Sequence, residues 1–372
     1  MLRRIQSWPD WKIALAFTAI ARVLFSALAA AFSLFLHPDP ALIHGNALTE
    51  NLPPPGTWYY ALVGIWERFD SLWYLRIAQH GYDLPRSVIF YPLYPAAIQI
   101  ASWVLPATVA ALLVSTVGAF FFLWGLLRLG REKLNDAARL RMSLLVMAWP
   151  TSFVLFAVYA ESLTLALMVW AVAFGRAGRW WPATLCGVLA GVARPSGVLV
   201  AIPLILLAVR GRQISSIVVL LTPAGVFGYW GWLRWSGHLS VVEAYRIYQG
   251  MPLAPPWTTV GEVLRLIVVE HDGLLAIKVG MVALMAILSL QRDLRFEDKL
   301  FALAVIGQML MYSGHPLLGT SRYLLAVYPA FVVLGGYAER RWNWMQLGFY
   351  LAAFGILNLV WMWAFLDWSL VL

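Results

Sequence analysis

Asp70 stands in the stretch Trp66-Glu67-Arg68-Phe69-Asp70-Ser71-Leu72-Trp73-Tyr74. Wound as one helix, spacings of three, four and seven put Asp70 on a face with Trp66, Trp73, Tyr74 and Ile77. Glu67 and Arg68 then face water or flank that face. A carboxylate on the apolar side of a surface helix is costly unless it has a partner or a task there. The task open to it is taking a proton from a bound hydroxyl; the alternatives are an acid that snorkels to water or one salt-bridged to a neighbouring arginine.

Four further groups could carry chemistry. Phe90-Tyr91-Pro92-Leu93-Tyr94-Pro95 is an aromatic-proline run. Its Tyr91 and Tyr94 could line a site with Arg68 and Trp73, or anchor the chain at headgroup depth. Arg194, in Gly191-Val192-Ala193-Arg194-Pro195-Ser196-Gly197, falls between two apolar helices, where an arginine is expensive and usually functional or paired, for example with Glu161. Arg322, in His315-Pro316-Leu317-Leu318-Gly319-Thr320-Ser321-Arg322-Tyr323, could hold a phosphate bidentately or snorkel to a headgroup. His315 and Glu161 are single boundary residues, and one histidine makes no metal site. The soluble-enzyme motifs are missing: no P-loop, no glycine-rich dinucleotide turn, no His-Glu-x-x-His, no Gly-x-Ser-x-Gly and no DxD pair. A site with one acid, two or three arginines and many aromatics suits a lipid-phosphate substrate and calls for neither metal nor cofactor.

The elements that must position these residues are membrane helices. The 372 residues are 62% hydrophobic and only 12% charged, with mean hydropathy +0.75. Soluble domains are roughly 45–50% apolar and about 25% charged. An all-α polytopic membrane protein follows. The first span is expected at residues 12–36, retained and not cleaved as a signal peptide. Residues 37–103 form a long loop, rich in proline (Pro38, Pro40, Pro53, Pro54, Pro55), that should hold short helices on the membrane surface. Later spans are expected near 104–129, 140–159, 162–176, 181–193, 195–209, 213–234, 273–290, 299–314, 322–338 and 343–366, about 11 crossings in a single transmembrane domain over 1–372. The spans flanking Arg194-Pro195 are short and should meet part-way through the bilayer, lining a cavity.

The net charge of +9 has the sign of a nucleic-acid binder but the distribution of a topology signal, and no nucleic-acid partner is expected. With a cytoplasmic N-terminus (Arg3, Arg4), 17 of the 27 basic residues fall on the inner side, eight on the outer, and Arg22 and Arg194 within spans. The loop 37–103 with Asp70, a second loop at 235–272 and the His315–Arg322 turn then face the periplasm, exterior or lumen. The lone Cys186 permits no disulfide framework within the chain.

The run from Trp66 to Tyr82 resembles the first-loop signature of the PIG-V mannosyltransferases, the GPI second-mannose enzymes and their bacterial relatives. Phe90 to Pro95 resembles the Phe-Pro-Leu-Tyr-Pro element that follows it. Tyr159-Ala160-Glu161-Ser162-Leu163, Ala193-Arg194-Pro195-Ser196-Gly197 and Ser321-Arg322-Tyr323-Leu324 resemble later elements in the same order. The resemblance implies a GT-C-type transmembrane bundle with juxtamembrane helices in the first outer loop. It also implies an inverting transferase using a polyprenyl- or dolichyl-phosphate sugar, usually mannose, with a glycan or glycolipid acceptor, in a plasma membrane of prokaryotic type. The family's catalytic acid maps onto Asp70. Phe69 stands where family members often carry tryptophan. Arg194 and Arg322 as donor-phosphate ligands are an inference from charge and position. A lipid-linked-sugar flippase, or an assembly subunit that binds without catalysing, are the rival classes; the first predicts two repeated halves, and no repeat is visible.

Overall fold

A computed structural model describes residues 8–39, 43, 48 and 52–369. Arg3, Arg4 and Pro40 lie outside the described residues. Among those described, 17 α-helices and one isolated antiparallel bridge, Leu253 to Tyr312, account for the regular structure. The chain is a polytopic helical membrane protein. Among the described residues, four stretches are long and apolar enough to cross a bilayer: 10–32, 107–130, 214–235 and 344–366; 180–193, 195–211 and 273–289 are shorter apolar helices. The residues fall into two compact units.

The first unit takes in the residues up to Gly81, Pro92–Ala166 and those from Gly335 on. It holds α1 (Asp10–Phe32), α2 (Trp58–Leu62), α3 (Asp70–His80), α4 (Leu93–Ala101), α5 (Ala107–Gly130), α6 (Asp136–Ala148), the start of α7 (Glu161–Arg176) and, near the C-terminus, α17 (Trp344–Leu366). Asp10 pairs with Arg131 at 2.6 Å and with Arg139, so the start of α1, the end of α5 and the start of α6 share one end of the unit. The segment joining α1 to α5, which carries Asp70, therefore lies at the opposite end. Asn135, Thr57 and Asn343 cap α6, α2 and α17 by accepting from backbone N–H groups, as short polar side chains before apolar runs do.

The expected span 140–159 is not one helix. Trp149-Pro150 ends α6 after Ala148, and a 3-10 turn, Ser152–Phe156, follows. The break frees carbonyls in an apolar setting, and polar side chains reach them. Asn358 of α17 donates to the Trp149 carbonyl at 2.6 Å, and Arg22 of α1 donates to the Phe156 carbonyl at 2.6 Å. Gly118 admits the N-terminal turn of α7: a Cβ there would sit 2.7 Å from the Leu163 nitrogen.

The second unit comprises Tyr82–Tyr91 and Leu167–Leu334. Its helices are the rest of α7, α8 (Trp180–Ala193), α9 (Ala201–Gly211), α10 (Ala224–Trp235), α11 (Val241–Tyr248), α12 (Pro256–Val268), α13 (Gly273–Ser289), α14 (Phe296–Met309), α15 (Thr320–Tyr323) and the first half of α16 (Tyr328–Arg341). The expected break at Arg194-Pro195 is present. Arg194 is extended (φ −158°, ψ 151°), and a 3-10 turn, Pro195–Val200, precedes α9. One end of the unit is tied by buried acids on α14: Asp298 accepts from Arg176 at 2.6 Å and from the Tyr328 hydroxyl, and Glu297 pairs with Arg210. Arg194 lies at the other end, since Trp180 at the start of α8 bonds Gln213 just past α9 at 2.6 Å.

Glycine sets the approach around the Arg194 break. A Cβ on Gly197 would fall 2.1 Å from the Ala190 carbonyl oxygen, and one on Gly225 would fall 2.1 Å from that of Val188. Both contacts are with backbone, which has no rotamer to change. Gly197→Ala and Gly225→Ala should each destabilise the protein by about 1–3 kcal/mol or more, the usual cost of overpacking. A fall in detergent-solubilised thermal midpoint for both, against no change for Gly228→Ala in open space, checks this.

Candidate functional site

Phe69 overturns the expected continuous helix through Trp66 and Asp70. Its φ is 51° with ψ −114°, a left-handed conformation costly for a residue with a side chain. Trp66 ends a 3-10 turn, Gly64–Trp66, and α3 starts afresh at Asp70. The Phe69 ring is held by Phe365 (centroids 5.7 Å apart) and Trp368 (5.2 Å). Asp70 thus occupies the first helical position, half-buried, where unpaired N–H groups and the helix dipole favour a carboxylate. Trp73, Tyr74 and Ile77, three, four and seven residues on, are buried.

Glu67 and Arg68, expected to face water or to flank the Asp70 face, are both buried. Every guanidinium nitrogen of Arg68 has a protein acceptor. Nε donates to the Leu366 carbonyl (2.9 Å), one terminal nitrogen to the Glu67 carbonyl (3.1 Å), and the other to the Tyr60 hydroxyl (2.6 Å). The cation also lies 4.9 Å from the Trp368 ring centre. Arg68 clamps the two ends of the first unit's chain together. The Glu67 carboxylate accepts from the Thr108 hydroxyl at 2.6 Å. Burial pushes the Glu67 carboxyl above its ordinary range, and the Thr108 hydrogen bond and the Arg68 charge pull it partly back.

Tyr91 and Tyr94, three residues apart, belong to different units. In the first, Tyr94 is fully buried, its hydroxyl 2.7 Å from that of Ser115 and its ring edge-on to Tyr74 at 5.0 Å. Arg22 and Glu161 are its charged neighbours, and Glu161 is buried at the first position of α7. In the second, the Tyr91 hydroxyl accepts from the Trp230 indole at 2.8 Å, and its ring lies 4.6 Å from Tyr229. Tyr82, Trp232 and His238 extend this aromatic group.

The second unit brings Arg194 and Arg322 onto one phenol. Arg194 donates to the Tyr323 hydroxyl at 3.0 Å and Arg322 does so at 3.4 Å. The two guanidinium carbons lie 5.0 and 5.2 Å from the Tyr323 ring centre. Lys278 of α13 has Arg322 and Asp272 as its charged neighbours. Arg322 is placed by the turn preceding α15, where Leu317 (φ 58°) and Gly319 (φ 71°) reverse the chain. His315 is exposed, its Nε2 3.7 Å from where a Gly250 Cβ would be. Sequence reasoning gave no role to Tyr323, Lys278, Thr108 or Arg22. The lone charges of Lys278 and Arg22 in apolar runs were the available signal.

Arg68 therefore reads as structural. Arg68→Met should lower the thermal midpoint sharply, since each buried acceptor it strands costs about 1–3 kcal/mol. Thermal unfolding of the variant beside the parent checks it; an unchanged midpoint would contradict the clamp.

No family model matches the chain, and no curated protein does. Among solved structures the chain is similar to ArnT from Cupriavidus metallidurans bound to undecaprenyl phosphate, with TM-score 0.55 and 12% identity over 92% of this chain and 62% of that one. It is also similar to ArnT from the same organism in the apo state, with TM-score 0.50 and 15% identity over 75% of this chain and 56% of that one. The chain thus spans less than two thirds of the length of either. At these identities the likeness is one of fold alone: this chain shares a polytopic helical membrane architecture with those structures.

Proposed function

We propose that the protein is an inverting glycosyltransferase of PIG-V-like kind that moves a sugar, mannose by that resemblance, from a polyprenyl phosphate to an acceptor hydroxyl on the outer face of the membrane. The observation that carries the reading is the convergence of Arg194 and Arg322 on Tyr323. Two guanidinium groups that share a neutral phenol form a natural receptor for a phosphate. The fold likeness to a protein crystallised with undecaprenyl phosphate supports a lipid-borne phosphate as the ligand. Lys278, beside Arg322, adds a third positive charge.

Asp70 is the proposed base, on its position at the head of α3 and on the signature it sits in. The acceptor hydroxyl oxygen attacks the anomeric carbon from the face opposite the phosphate, and its proton passes to an Asp70 carboxylate oxygen. The bond between the anomeric carbon and the phosphate oxygen breaks, its electron pair leaving with the polyprenyl phosphate. One displacement inverts the anomeric centre. Charge grows on the departing phosphate, so a cation held at that phosphate favours the transition state over the bound donor.

Asp70→Asn and Asp70→Ala should each cut sugar transfer by roughly 10²–10⁴-fold, the range for general-base help, while the purified protein stays monodisperse. Incubation with radiolabelled prenyl-phosphate mannose and a panel of lipid and glycan acceptors reads this out; near-full transfer by either variant rejects the base. Arg194→Ala and Arg322→Ala should weaken donor use by about tenfold to hundredfold, as expected for a lost hydrogen bond to a charged group. Steady-state kinetics against donor concentration separate this from a folding defect, and unchanged donor kinetics in both variants would remove the phosphate from this locus.

A further inference from the structure

Beside α3 the first unit has a cleft of about 300 Å³ that none of the roles above uses. This is at the small end of the range for small-molecule pockets, about 300–1,000 Å³, and suits a ligand of one ring. Leu72, Leu75, Arg76, Gln79 and His80 line it from α3, at spacings of three and four that mark one helix face. At a rise of about 1.5 Å per residue, that face runs roughly 12 Å along the helix headed by Asp70. The floor is buried: Glu67, Thr108, Leu72 and Leu75. Tyr59 is half-buried in the wall, Arg76 is half-buried, and Gln79 and His80 form an exposed rim.

The lining sets the ligand's chemistry. The Glu67 carboxylate spends one acceptor site on Thr108 and has more to offer, so it calls for donors. Arg76, Gln79 and His80 supply N–H groups and call for acceptors, while the Tyr59 hydroxyl is engaged with Thr108. An anionic ligand is opposed by Glu67 and an amine by Arg76. A hydrocarbon chain would leave the buried carboxyl without a further partner, at a cost that its burial already raises. Hydroxyl groups donate and accept at once, and neighbouring hydroxyls on one ring can engage a carboxylate together. Leu72, Leu75 and the Tyr59 ring offer apolar surface for the C–H face of such a ring.

We infer that this cleft, lined by Glu67, Thr108, Tyr59, Arg76, Gln79 and His80, binds an uncharged sugar ring, the sugar part of the acceptor. This rests on the transferase reading above for the word acceptor, but the binding of a polyol does not. Saturation-transfer difference NMR on the full chain in nanodiscs tests it. The probes are methyl α-mannoside, methyl β-glucoside, the methyl glycoside of N-acetylglucosamine, and myo-inositol, each supplied free in the aqueous phase. At least one should receive saturation. That signal should fall at least fivefold in Gln79→Ala, a rim change that leaves the core intact, and in Thr108→Val, and should persist in Asp70→Asn. A second arm offers the same headgroup on a glycolipid in the nanodisc. Competition between the two arms marks the cleft as a glycolipid headgroup site, and free glycoside without competition marks it as a site for soluble glycans; either supports the inference. No saturation of any probe, or equal saturation in parent and Gln79→Ala, overturns it. If Asp70→Asn transfers sugar normally while Gln79→Ala loses the signal, the base assignment fails and the cleft stands. If Asp70→Asn is inactive and Gln79→Ala binds as the parent does, the cleft fails and the base stands.

Discussion

Everything around Asp70 depends on one backbone reversal. Phe69 sits at positive φ, a conformation that costs of order 1–3 kcal/mol for a residue with a side chain and persists only where the surroundings enforce it. The enforcing groups are aromatic and distant in sequence. Phe365 and Trp368, from the last helix and just beyond it, hold the ring. Arg68, one residue earlier, is tied to the Leu366 carbonyl 298 positions on. Relaxing Phe69 would let 66–80 wind as one helix. Asp70 would then leave its position at a helix N-terminus, and Glu67 would leave the floor of the cleft beside α3. The C-terminal helix thus acts as a brace for the segment where the chemistry is proposed.

A second constraint comes from the bilayer. Broken helices expose backbone carbonyls where no water can satisfy them, and each such group costs several kcal/mol. This chain breaks α6 at Trp149-Pro150 and answers with Asn358 and Arg22, side chains sent from α17 and α1. It breaks after α8 at Arg194-Pro195 and answers with glycine, letting the following turn pack against the carbonyls of its own helix. The two solutions differ in consequence. The first consumes its arginine on structure. The second leaves the arginine at the break in contact with Tyr323, where a ligand could compete for it.

The fold was legible where it depends on composition and local chemistry. Apolar length anticipates the four long crossings, and proline anticipates the break at 194–195. The polytopic helical bundle expected from composition and from the Asp-Ser signature agrees with the fold likeness, and no family model matches the chain. What stayed illegible depends on contacts across the chain. Periodicity through Trp66 to Ile77 reads as one helix because nothing local announces that Phe69 will turn over. Arg68 reads as a cation that faces water or flanks the site, because Tyr60, Leu366 and Trp368 are invisible as its partners. Tyr91 and Tyr94 read as one motif, although the unit boundary falls between them. The break at Trp149-Pro150 carried a proline but was absorbed into an apolar run long enough to pass for a span.

The choice of a phenol to share two arginines has a physical logic on the proposed reading. A sugar-phosphate-lipid is a phosphodiester with one negative charge, and the lipid phosphate left behind is a monoester that gains a second as the sugar departs. Charge therefore grows at the phosphate along the reaction, and fixed cations bind the transition state better than the donor. The same cations hold the product, so unrelieved attraction would slow its release. Tyr323 supplies an oxygen and a π face that lie against both guanidinium groups. Its hydroxyl can return to Arg194 and Arg322 as the phosphate leaves, replacing part of what the site loses. On the proposed reading, Tyr323→Phe would retain the ring contacts and forfeit that exchange.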